Sequence, residues 1–256
     1  MKPHERITAA VNQAATGGGI ALVPYMTAGY PDKEKFVDTL RAIAAVADVV
    51  EIGVPFSDPM ADGVTIQRSS HEAIASGVSL RWILDELNRA TDIEAPLVLM
   101  SYLNPLLAFG YNELVEACTR SGVCGFIVPD LPLEEGEAFR EALDRAGLAL
   151  IELVTPATPP DRMLKLCEAS RGFVYAVTIR GITGGANALP DEVPDYLDRV
   201  KSIATIPVCA GFGVRQAVQV RQLGQHADGV IVGSALVEQL EAGKDPGEFL
   251  SSLRTG

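Results

Sequence analysis

Two carboxylates in apolar surroundings are the first residues of this sequence that could do chemistry. Glu51 stands in the run Asp48-Val49-Val50-Glu51-Ile52-Gly53, flanked by Val50 and Ile52. An ionised glutamate is costly to bury there, so it is either held in a buried ion pair or kept for use. Burial favours its neutral form, and a carboxyl that titrates near neutrality can both give and take a proton. Asp62 follows in Pro55-Phe56-Ser57-Asp58-Pro59-Met60-Ala61-Asp62-Gly63. Asp and Gly also serve ordinary turns, so that segment alone says little. All six lysines (Lys2, Lys33, Lys35, Lys165, Lys201, Lys244) fall outside the apolar runs, which removes the obvious Schiff-base nucleophile. The three histidines, His4, His71 and His226, are scattered, and Cys118, Cys124, Cys167 and Cys209 form no C-x-x-C pair. No zinc spacing exists, so neither metal nor cofactor is expected.

Glycines are the second signal. Gly211-Phe212-Gly213 and Gly233-Ser234 each follow a short apolar run, and Thr183-Gly184-Gly185 lies after another. Isolated glycine pairs are common in turns. Their joint placement late in the chain favours a phosphate held by bare backbone N–H groups and a helix N-terminus. The segment Arg180–Pro190 is long and rich in small residues, which suits a lid over such a site or a plain surface loop.

These residues need a scaffold, and the sequence supplies a rhythm for one. Runs rich in Val, Ile and Leu occur at Ile20–Thr27, Asp48–Val54, Pro96–Tyr102, Gly125–Pro129, Leu148–Val154, Gly172–Val177, Ile206–Ala210 and Gly229–Gly233. Such runs read as parallel strands buried on both faces. Between them lie stretches of helical spacing, such as Leu80, Ile83, Leu84 and Leu87 on one face, and Thr158 is expected to cap a helix with Asp161 in its first turn. Eight such units in 256 residues, without a linker, point to one α/β domain over residues 1–256, a (β/α)₈ TIM barrel. A doubly wound sheet would place its glycine-rich loop after the first strand, where only Gly29 stands. Thr8–Thr16 is expected to be an extra helix closing the barrel floor, with long loops after the second and sixth strands.

Bulk properties set limits on the partners. Hydrophobic residues make up 48% of the chain, enough for a sizeable core, and the net charge of -12 argues against nucleic acid or an anionic membrane as partner. Ile7 to Pro31 carries no charge, but Gly17-Gly18-Gly19 and Pro24 break it, so it does not read as a membrane span. The start, Met1-Lys2-Pro3-His4-Glu5-Arg6, lacks signal-peptide features, and a cytoplasmic protein is expected.

The segment from Glu51 to Gly63, continuing to Thr65-Ile66-Gln67, closely resembles the signature of the tryptophan synthase alpha chain family. The resemblance extends through Asn104-Pro105, Pro129-Asp130-Leu131-Pro132, Gly181-Ile182-Thr183-Gly184 and Gly211-Phe212-Gly213-Val214. It implies a lyase that splits indole-3-glycerol phosphate into indole and glyceraldehyde 3-phosphate in tryptophan biosynthesis. Glu51 would be the acid–base catalyst and Asp62 the partner of the indole N–H. Tyr175, Thr183, Leu22, Met100, Ile127 and Phe212 would contact substrate, and Gly184, Gly211, Gly213, Gly233 and Ser234 would hold its phosphate. The family pairs with a beta chain that carries pyridoxal phosphate, in an alpha2-beta2 heterotetramer. Pro55, Asp58, Asn104 and Pro132 would lie on that contact. Three positions depart from the family pattern: Val64 for a usual proline, Ile179 for a usual arginine, and Leu22 for a frequent phenylalanine. A free-standing lyase of the same chemistry and a non-catalytic subunit that senses a phosphorylated ligand are the alternatives.

Overall fold

A computed structural model describes residues 1–16, 19–177, 192–211 and 213–255. Nine parallel strands form its sheet: β1 (Ala21–Thr27), β2 (Val50–Gly53), β3 (Leu97–Met100), β4 (Val123–Ile127), β5 (Ala149–Ile151), β6 (Leu153–Val154), β7 (Val174–Val177), β8 (Val208–Gly211) and β9 (Gly229–Val232). Their order is β5-β4-β3-β2-β1-β9-β8-β7-β6, so the two ends of the sheet are consecutive in the chain. The fifth apolar run therefore supplies two strands and closes the ring. Its first half pairs with β4 and its second with β7. The change falls at Glu152, whose carboxylate accepts from Arg140 Nη2 at 2.7 Å and whose N–H donates to Ser170 Oγ at 3.0 Å.

Side chains alternate between two layers, as the period-2 geometry of a strand requires. Val23, Val49, Val98, Ile127, Ile151, Phe173, Cys209 and Ile231 pack together inside the barrel. Leu22, Met26, Val50, Ile52, Leu99, Phe126, Val174, Ala210 and Val230 face outward into the layer shared with the helices. Both faces are dry, which is why these strands read as continuous apolar runs. The helix Leu80–Arg89 shows the outer layer's logic. Ser79 caps it by accepting from Trp82 N at 3.3 Å, and Leu80, Ile83, Leu84 and Leu87 are all buried.

The floor helix runs from Pro3 to Thr16, five residues longer at its start than the apolar pattern indicates. Proline is tolerated in a first turn, and Lys2 N donating to Glu5 Oε2 at 2.8 Å helps to hold that turn. Ile7 and Val11 insert into the inner cluster and plug the barrel. One helix start differs the other way. Thr158 does not cap; its hydroxyl accepts from Thr155 N at 2.9 Å, and the helix begins at Pro160 after Pro159. A long loop, residues 54–63, follows β2. The long loop expected after β7 falls at residues 178–191, outside the described residues. No described helix is long and apolar enough to cross a membrane.

Candidate functional site

At the C-terminal end of the barrel, β2 turns Glu51 inward. Its Cα is in register with Tyr25 of β1 on one side and Val98 of β3 on the other. Glu51 is 1% exposed, and neither carboxyl oxygen has a hydrogen-bond partner among the described residues. An unpartnered buried polar group costs about 1–3 kcal/mol, so this is not a residue kept for stability. Burial, and then the nearby Asp62 charge, push its carboxyl up to about 8. Near neutrality it is therefore a protonated acid.

Asp62 comes from the loop after β2 and is held in place on three sides. Tyr102, just past β3, donates its hydroxyl to Asp62 Oδ2 at 3.1 Å, while its oxygen accepts from Ala61 N at 2.9 Å. Gln67 Nε2 donates to the Asp62 carbonyl at 2.9 Å. Tyr102 is itself held by stacking on Phe56, with ring centroids 5.0 Å apart. Burial raises the Asp62 carboxyl to about 6 against the lowering effect of the Tyr102 hydroxyl. The two carboxyls are thus separated in their titration, one neutral and one ionised at pH 7, which assigns an acid and an anion.

The cleft they face is lined by Tyr25, Ile66, Met100, Tyr175 and Ile231 at its apolar side and by Gly211, Gly213, Gly233 and Ser234 at the other. Burial holds the Tyr175 phenol well above its ordinary titration range, so it is a neutral wall. The tyrosine explains one glycine: a Cβ at Gly211 would sit 2.7 Å from Tyr175 Cε1. Gly213 is needed for a different reason, a left-handed φ of +64° beside open space. The helix Ser234–Glu241 starts at the cleft, so its first N–H groups face it. No lysine, arginine or histidine lies among the described lining residues. Among these described residues, the groups that can grip an anion are backbone N–H dipoles and the Ser234 side chain.

Of the residues singled out from sequence, Glu51, Asp62, Tyr175, Met100, Gly211, Gly213, Gly233 and Ser234 meet in this one cleft. Thr183, Gly184 and Phe212 lie outside the described residues. Leu22 is a correction: it points away from the cleft into the outer layer, because Tyr25 faces inward and strand alternation turns Leu22 outward. Ile127 is inward, in register with Met100, but packs in the barrel's inner cluster and not in the cleft wall. Tyr25, Ile66, Ile231 and Tyr102 were not anticipated. Once Glu51 is taken as inward, pairing places Tyr25 beside it, but that register is not written in the sequence.

Residues 11–254 match the family model described as tryptophan synthase alpha chain. The tryptophan synthase alpha chain of Solidesulfovibrio magneticus is 43% identical over 250 residues, covering 97% of this chain and 98% of that protein. The one from Bacillus mycoides is 45% identical, covering 89% of each. The chain belongs to the tryptophan synthase alpha chain family. Solved structures agree: tryptophan synthase subunit alpha from Legionella pneumophila superposes with a TM-score of 0.88 at 34% identity, covering 97% of both chains. A chain of Mycobacterium tuberculosis tryptophan synthase does so with 0.88 at 36%, covering 98% of this chain and 99% of that one. Of the partner-surface positions that the tryptophan synthase alpha pattern suggests, Asp58, Asn104 and Pro132 are exposed near the barrel mouth. Pro55, two residues past the end of β2, is buried and does not share that exposure.

Proposed function

We propose that this chain cleaves indole-3-glycerol phosphate to indole and glyceraldehyde 3-phosphate, as the alpha subunit of tryptophan synthase. The observation that carries the reading is the pair of carboxyls with separated titration, Glu51 near 8 and Asp62 near 6, facing one cleft. A retro-aldol cleavage must place the electrons of the breaking C–C bond somewhere. The substrate's own ring accepts them once its C3 is protonated. Glu51, neutral at pH 7, gives that proton and becomes a carboxylate. The ring nitrogen is then positive, and the Asp62 anion stabilises it through the N–H. The new Glu51 carboxylate takes the proton of the glycerol hydroxyl next to the ring. The carbonyl of glyceraldehyde 3-phosphate forms, the C–C bond breaks, and its electrons restore the neutral aromatic indole. Glu51 ends protonated, as it began.

Met100, Ile66 and Ile231 suit the apolar ring, with Tyr175 beside it. Gly211, Gly213, Gly233 and Ser234 suit the phosphate. Thr183, Gly184 and Phe212 complete this reading from the loops next to them, and Ile127 would support Met100 from the neighbouring strand. The reading takes residues 1–256 as one catalytic domain with no cofactor of its own. Its partner is the beta chain, met through the surface around Asp58, Asn104 and Pro132, and its setting is the cytoplasm.

The test is indole release from indole-3-glycerol phosphate, measured with and without a tryptophan synthase beta chain. Slow release alone that rises strongly with the beta chain supports lyase and partnership together. Full activity alone would replace the partnered enzyme with a free-standing one. Folded protein inactive in both conditions would refute the lyase reading.

A further inference from the structure

Three of the segments that line the cleft are the loop ending at Asp62, the loop bearing Gly211 and Gly213, and the helix Ser234–Glu241. Glu238, on that helix, bonds to the stretch that follows each of the other two. It lies one turn into that helix, four residues after Ser234. Arg215, two residues past Gly213, grips it with two hydrogen bonds, Nη1 to Oε2 at 2.6 Å and Nη2 to Oε1 at 2.9 Å. Thr65, three residues past Asp62, donates its hydroxyl to Oε1 at 3.3 Å. One turn along the same two helices, Arg68 Nη2 donates to Glu241 Oε2 at 2.6 Å. Positions 65 and 68 share a face of the helix Val64–Ala75, and 238 and 241 share a face of the other, as i,i+3 spacing dictates. The backbone under Arg215 is also fixed: the buried Gln219 side chain accepts from Arg215 N at 2.8 Å and from Gln216 N at 3.1 Å.

We propose that Glu238 is a positioning residue that locks the phosphate-binding loop and helix to each other through Arg215 and transmits their placement to Asp62 through Thr65. The inference rests on the lyase reading above and adds to it a physical link between anion binding and the carboxylate that opposes charge on the ring. The phosphate end is built of backbone N–H groups on two segments, so its grip depends on their spacing, and a bidentate arginine–carboxylate pair is the side-chain contact that sets a spacing most firmly. Thr65 then ties the helix that follows Asp62 to the same carboxylate, so an ordered phosphate end also orders the start of that helix.

The same pair could instead act only as local charges, and the two roles give opposite signs. As charges alone, losing Arg215 would leave an anion near the phosphate and weaken it, whereas losing Glu238 would free a cation and tighten it. As a lock, either loss weakens it. The experiment measures binding of glycerol 3-phosphate to the whole protein by calorimetry, and kcat and KM for indole-3-glycerol phosphate. It compares Arg215→Ala, Glu238→Ala, the double variant and Thr65→Val. Arg215 and Glu238 are partly exposed, with side chains 54% and 34% accessible, so solvent limits their pair. Each single alanine is expected to weaken glycerol 3-phosphate by about threefold to fivefold, near the ceiling for such a pair, and the double variant by no more. Thr65→Val is expected to lower kcat by a similar factor while binding stays within about twofold. Tighter binding in Glu238→Ala, additive losses in the double variant, or an unchanged kcat in Thr65→Val would overturn the lock. Wild-type protein that releases no indole would overturn the lyase reading itself, a separate result from active wild type with indifferent variants.

Discussion

Replacing Tyr102 with phenylalanine tests whether Asp62 works as an anion. The lost hydroxyl donates to Asp62 Oδ2 at 3.1 Å, which is long for a bond to a carboxylate. Bonds to charged groups contribute about 1.5–3 kcal/mol, and water reaches the half-buried Asp62 in part, so the low end applies. A loss of about 1.4 kcal/mol is a factor of ten in the ionisation constant. The hydroxyl stabilises the charged form, so its removal raises the carboxyl, from about 6 toward roughly 7. If catalysis needs neutral Glu51 and ionised Asp62, kcat/KM is bell-shaped, with an acid limb near 6 and an alkaline limb near 8. The variant should lose activity about fivefold near pH 6 but less than about 1.5-fold near pH 7.5. Its alkaline limb should stay, because Asp62 is ionised in both proteins there. The assay is kcat/KM for indole release across pH, with melting curves to check the fold. An acid limb that does not move, or the same loss at every pH, would refute the electrostatic role given to Asp62.

Three further outcomes are expected. Glu51→Gln should lower kcat by about 10²–10⁴ while the protein stays folded, and near-normal turnover would remove Glu51 from the mechanism. The same variant should report the burial of charge: Glu51 titrates near 4.5 when unfolded and about 8 when folded, so the folded state holds the proton more tightly. Wild-type stability therefore falls as pH rises through that window and levels off above it, by a few kcal/mol at most, whereas the glutamine variant lacks this fall. Melting temperatures that run parallel between pH 5 and 8.5 would contradict it. Gly213→Val places a branched side chain at a left-handed φ, at a conformational cost of about 1–2 kcal/mol, and should weaken glycerol 3-phosphate about tenfold or more while sparing indole. Equal weakening of both ligands, measured by competition, would argue against phosphate contact there.

The strands were legible because a barrel buries both faces of each one, and every apolar run became strand. The same double burial hid their phase. In Ala21–Thr27 all seven residues are buried, so nothing in the run tells Leu22, facing the helices, from Tyr25, facing the cleft. Glu51 was legible as a lone carboxylate among Val and Ile, and among the described residues it has no hydrogen-bond partner. Asp62 was ambiguous because its loop reads as turn chemistry. What distinguishes it is the Tyr102 hydroxyl, which arrives from 40 positions away and has no local signature. The break of the fifth strand at Glu152 was equally hidden, since it follows from how the ring closes and from Arg140 on the helix Glu137–Ala146.

The anion end of the cleft has a kinetic consequence. Its described lining holds no cation, and the chain as a whole carries a charge of -12. From the described lining, attraction for a phosphate comes from N–H groups at hydrogen-bond range, whereas farther out, over a Debye length of about 10 Å at 0.1 M salt, the net charge of the chain is repulsive. Capture and retention then respond differently to ionic strength. Added salt screens the approach and quickens encounter, but it leaves the short N–H contacts, and with them the residence time, nearly untouched. Enzymes that steer their substrates with an opposite field are slowed by salt. For this one, added salt is expected to speed the approach, which stopped-flow binding of glycerol 3-phosphate at several ionic strengths checks.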